Sequence, residues 1–308
     1  AVMEGENIGY KRMGMSTVLV LLGGALNALA IVLNTGIIGV ATSSVITTLF
    51  TGLFFLRVTK SYVPWFGMAK PARGALRSFL GLSWWFLLWR LVMQFMMASD
   101  SALLGIFASV PLVTGYSLMK YMPETLVNLV AIVAFGIAPG LGGIIGAGDL
   151  EKAGKVRGEI QLFTWFTATV IGSLTLLWNN DFLKLWIGAG YHAGALENLM
   201  LMLMMMQFVL VRNDGNFIDL MLKPRQKVLL GLLAMIFSTG LAIGLMRTLA
   251  SPIVGLCTGI IVGRLLLSIT YPLLICPFLQ VSLWQQMHSA LRPSLVTAIF
   301  FTLAANPT

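Results

Sequence analysis

Long apolar runs, separated by only a few polar residues, constrain this chain more than any other feature. A helix that crosses a bilayer needs about 20 consecutive apolar residues. Such runs lie near 16–34, 37–57, 80–98, 104–138, 160–178, 195–211, 228–247 and 252–276, with a ninth, 294–305, cut short. Charged residues make up 10% of the 308 and apolar residues 58%. A soluble chain carries about a quarter charged residues, so too few are present to build a water-facing surface. The fold class that follows is an all-α, polytopic transmembrane helical bundle of about eight complete spans.

Asn34-Thr35-Gly36 separates the first two runs and predicts a tight helical hairpin. The run at 104–138 contains Pro111 and Pro123, and is either one kinked helix or two short ones. Charge decides between them. With one helix, a single side of the membrane holds Lys11–Arg12, Arg57–Lys60, Lys70–Arg73–Arg77, Lys152–Lys155–Arg157, Arg212–Lys223–Arg225–Lys227 and Arg292. The other side then holds only Lys184 and Arg247. Basic loops face the cytoplasm, so one helix is expected, ending at Pro139. The excess of 20 Lys+Arg over 11 Asp+Glu is therefore read as topology, not as a nucleic-acid surface. Between 60 and 80, basic residues at helical spacing beside Trp65 and Phe66 predict an amphipathic helix in the interface with membrane lipid.

Three basic residues belong to neither side: Arg90, Lys120 and Arg264, each near the middle of a different span. A cation at that depth costs at least about 2.5 kcal/mol against lipid, so it faces the bundle interior or a wet cavity. Glu124 is the one acid expected at similar depth, which makes the interior net positive and suited to an anion. Tyr116, Lys120, Glu124 and Asn128 recur every four residues and share one helix face. Gln94 lies one turn beyond Arg90. Asp100 reads as the N-cap of the next helix, or as a group for ion coupling or gating together with Glu124. Gly255, Gly259 and Gly263, with Gly240 and Gly244 on the preceding helix, predict close helix packing. Met200 to Met206 read as lipid-facing filler.

No metal or cofactor site is expected. Cys257 and Cys276 lie in apolar runs, zinc spacings are absent, and Gly140 to Gly146 follow a helix instead of a strand, against a phosphate loop. No paired nucleophile and base is visible, so no enzyme is expected.

Several stretches together resemble the polysaccharide (O-antigen type) flippases of the multidrug/oligosaccharidyl-lipid/polysaccharide exporter superfamily. These are Asn34-Thr35-Gly36-Ile37-Ile38-Gly39-Val40-Ala41-Thr42; Asp100 with Leu103-Leu104-Gly105 and Tyr116; Pro139 with Gly148-Asp149; and Leu185-Trp186-Ile187-Gly188 with Tyr191. The resemblance implies that 1–58 hold the last two helices of a first lobe. By the same alignment 59–79 form a linker, 80–276 a complete six-helix second lobe, and 277–308 a cytoplasmic loop with part of a further helix. Most of a first lobe would be missing, and neither Ala1 nor Pro307-Thr308 looks like a natural terminus, so the expectation is a partial chain. The resemblance also implies a substrate, an undecaprenyl-pyrophosphate-linked oligosaccharide moved across the bacterial inner membrane by alternating access. Arg90, Lys120 and Arg264 would then be cavity cations, supported by Gln94, Tyr116, Glu124 and Asn128. Other membrane proteins of polysaccharide assembly would be partners. A multidrug exporter, or a membrane polymerase or ligase acting on lipid-linked glycans, is the alternative.

Overall fold

The computed structural model describes residues 9–64, 66–67, 73–188, 194–280 and 282–305, and among these it is helical with no strand. Within a bilayer no water satisfies backbone N–H and C=O groups, so each crossing segment must satisfy its own, as a helix does. The helices are α1 (Gly9–Val32), α2 (Gly36–Tyr62), α3 (Arg73–Phe107), α4 (Val110–Gly146), α5 (Leu150–Ile187), α6 (Ala195–Leu220), α7 (Pro224–Thr248), α8 (Pro252–Leu279) and α9 (Leu283–Ala305). Eight of them, α1 to α8, are long and apolar enough to cross a membrane. The chain is an all-α, polytopic helical protein.

The chain divides into two compact units, Ala1–Ala75 and Leu76–Thr308. In the first, α1 and α2 form the expected hairpin. Asn34 and Gly36 turn it at positive φ, 52° and 63°, and the Ser43 hydroxyl donates to the Asn27 side chain.

In the second unit α7 and α8 make the closest approach. Side chains at Gly255, Gly259 and Gly263 would run into the backbone of Leu245, Ala242 and Ser238. Gly240 and Gly244 do not share in this. They are exposed on the outward face of α7, because the residues that meet α8 are those one helical face away, Ala234, Ser238 and Ala242.

Several expected boundaries shift. Asp100 is not an N-cap: α3 runs on to Phe107, and Ser109 begins α4 with Pro111 in its first turn. The run read as 104–138 is indeed one helix, α4, but it spans 110–146 with Pro123 and Pro139 inside it. Pro139 does not end it: the helix continues through the glycine-rich turns to Gly146. The segment 60–80 shows no separate interfacial helix among its described residues, since Lys60 belongs to the last turn of α2 and Arg73 opens α3. Trp65 and Lys70 lie outside the described residues, as does Tyr191. The expected loop after 276 is largely helical, being the end of α8 and the first turns of α9. The latter packs on α5 through Phe301 over Gly172 and a Thr169–Thr297 hydroxyl pair at 2.6 Å. The methionine run is core: Met202, Met204, Met205 and Met206 are buried between α6 and its neighbours. A stretch that is apolar on every face carries no signal of which face meets lipid.

Candidate functional site

The site is assembled on α3, α4 and α8. On α4, spacing of four residues stacks Tyr116, Lys120 and Glu124 on one face. Pro123, inside the same turn, has no N–H to offer the Met119 carbonyl. Asn179 of α5 supplies the donor instead, at 3.3 Å, and also binds Asn198 at 2.9 Å. The kink is thereby held by the Asn179 amide nitrogen, while its Oδ1 has no partner among the described residues.

Asp100 of α3 sits opposite this face and is 2% exposed. Its Oδ2 accepts from the Tyr116 hydroxyl at 2.7 Å and pairs with Lys120 Nζ at 2.7 Å. Lys120 Nζ also reaches Glu124 Oε1 at 3.0 Å and donates to the Met97 carbonyl at 2.9 Å. Asp100 Oδ1 takes the Ser101 N–H at 2.7 Å. From α8, buried Arg264 donates to the Met96 carbonyl at 2.8 Å and lies 5.1 Å from the centre of the Phe208 ring. Its second terminal nitrogen has no hydrogen-bond partner among the described residues. One turn of α3 thus takes both cations on adjacent carbonyls and supplies the carboxylate between them.

The structure therefore brings together five predicted residues: Asp100, Tyr116, Lys120, Glu124 and Arg264. It does not make their surroundings net positive. Asp100 joins Glu124 as a second acid at this depth, and two carboxylates balance two cations. Sequence reading missed this because Asp100 lies far from Lys120 along the chain and resembles a helix cap.

Arg90, Gln94 and Asn128 are not in this buried cluster. All three are exposed, and Arg90 makes no ion pair or hydrogen bond among the described residues. Register nevertheless relates them to it. Met97 and Lys120, joined by a hydrogen bond, lie equally far from the Ala108–Ser109 turn. Counting outward at about 1.5 Å per residue on both helices, Gln94 falls level with the turn holding Glu124, and Arg90 level with Asn128. Side-chain bridges hold α3 to α4, while α4 packs its length against α5 and α6. Arg90 and Gln94 on one helix, and Glu124 and Asn128 on the other, thus share two levels below the buried pair.

Nearly all the basic residues assigned to loops lie in helices, and three of them sit among packed helices. Lys227 is fully buried, 2.6 Å from Asp219 and 4.0 Å from the centre of the Trp89 ring. Arg157 pairs with Asp214 at 2.6 Å, with Gln161 donating to the same oxygen. Arg212 lies inside α6. The missed signal was acidic residues within helical reach of an apolar run: Asp214 and Asp219 close α6 with counter-charges for both partners.

No group of metal-ligating side chains occurs among the described residues. No protein-family model matches the chain, and it matches neither a curated protein nor a solved structure.

Proposed function

We propose that this chain belongs to a membrane carrier that moves an anionic lipid-linked substrate, an undecaprenyl-pyrophosphate-linked oligosaccharide, across a bacterial inner membrane by alternating access. One observation carries the reading. The buried cations Lys120, Arg157 and Lys227 each have a carboxylate partner, but Arg90, exposed close to the middle of its span, has none among the described residues. A guanidinium there would cost at least about 2.5 kcal/mol against acyl chains, so its face meets water or an anion. Arginine presents a planar fork of donors that suits phosphate, and Gln94 and Asn128 at neighbouring levels offer hydrogen bonds to a sugar.

A cation-exporting multidrug carrier fits less well, because the exposed carboxylate at this depth, Glu124, already faces Lys120. Nothing at the site groups a nucleophile with a base, which favours a carrier over a polymerase or ligase. Basic loops on the cytoplasmic side would set the orientation, and other membrane proteins of polysaccharide assembly would hand over and receive the glycan.

Lys120 and Arg264 are also structural, so their substitution confounds transport with folding. Arg90 is free of this difficulty. Arg90→Ala should depress glycan export at unchanged protein level, with Arg90→Lys retaining part of it. In purified protein, undecaprenyl pyrophosphate should raise the Tm of the wild type and leave that of Arg90→Ala unmoved. Normal export together with an equal Tm shift in Arg90→Ala would refute the assignment.

A further inference from the structure

A second polar site lies away from the α3–α4–α8 cluster, in a cavity of about 30 Å³ lined by α4, α5 and α6. Its α4 wall is Ala134, Ala138 and Leu141, the turns on either side of Pro139. Its other walls carry Arg157, Gln161, Asp214 and Asn216. Two features set it apart from a packing void. The buried amide nitrogen of Asn216 has no partner among the described residues. In addition, Arg157 Nε, Arg157 Nη2 and Gln161 Nε2 all converge on Asp214 Oδ1, which leaves Oδ2 without any of these donors.

We propose that this cavity is a water-binding site, holding one or two ordered molecules beside Asn216 and Asp214. A water needs about 10–15 Å³ and two to four polar partners, and the cavity offers about twice that volume. A water there accepts from the Asn216 amide and donates to Asp214 Oδ2. The paired charges favour a neutral occupant: Asp214 repels an anion and Arg157 repels a cation. The water would satisfy a buried amide nitrogen that is costly to leave unmet. This inference is independent of what the protein carries.

Radiolytic hydroxyl labelling of the full chain tests it, because buried side chains are modified only where a bound water lies beside them. Phe217 lines the cavity and is 3% exposed; Phe301 is 1% exposed and packs on Gly172 and Met202. Phe217 should be labelled several-fold faster than Phe301 in the wild type. Asn216→Leu, which removes a partner and fills the space, should bring Phe217 down to the Phe301 rate. Equal rates in the wild type overturn the proposal, whether or not the variant folds.

Discussion

Lys120 shows how much a single residue can couple. Its ammonium joins two helices through Asp100 and Met97, and reaches Glu124 on the more open side. Removing one member of a buried ion pair strands the other and costs about 3–5 kcal/mol, whereas replacing both by uncharged groups is often neutral. Lys120→Met should therefore lower the Tm of the purified protein steeply, since Asp100 keeps only Tyr116 and Ser101. Adding Asp100→Asn should restore most of the loss. A Lys120→Met protein as stable as the wild type, or a double variant no better than the single, would show that the pair does not hold α3 to α4. At this scale the sequence was half legible. The four-residue stripe on α4 could be read because its members share one helix. Asp100 and Asn179 could not, because their partners come from other helices, and an Asp or Asn in an apolar run looks alike whether it caps, pairs or mends a kink.

At the scale of elements, the spans themselves were readable because length and apolarity are properties of one segment. Their ends and faces were not. α3 runs past Asp100 because Tyr116 and Lys120 on α4 absorb its charge, and the methionines of α6 are core because five other helices pack against it. The glycines make the point most sharply. Five were read together as packing residues, but only those on α8 touch the neighbouring backbone. Gly259→Leu should force α7 and α8 apart, and overpacking of this kind typically costs about 1–3 kcal/mol. Gly244→Leu, on the same interface by sequence but open in space, should leave stability unchanged. Thermal unfolding followed by fluorescence-detected size exclusion separates the two. Equal losses would mean that the outward groove of α7 is itself packed against something.

For the whole molecule, the decisive quantity is where unpaired charge lies once the paired charges are set aside. Arg157 and Lys227, which sequence placed in loops, are neutralised by α6, and Lys120 by Asp100 and Glu124. Arg264 is buried in the same cluster on the Met96 carbonyl. Arg90 is left over on the exposed surface, on a face of α3 that also carries Gln94. A quarter-turn or more around the same helix, exposed Leu91 and Phe95 present only hydrocarbon. The proposed function therefore requires one helix to have a wet exposed face and a dry exposed face at the same depth. Single cysteines can tell these apart against a low background, because native Cys257 and Cys276 are both buried. In membrane vesicles, a charged, membrane-impermeant thiol reagent should modify Gln94→Cys and Asn128→Cys. Leu91→Cys and Phe95→Cys, equally exposed but facing acyl chains where thiolate does not form, should stay unmodified. If the proposed orientation holds, the two reactive positions label from the side of the basic loops. An unreactive Gln94→Cys, or a Leu91→Cys that reacts as fast, would mean that no water reaches Arg90. Arg90, Gln94 and Asn128 would then have no claim to meet a substrate.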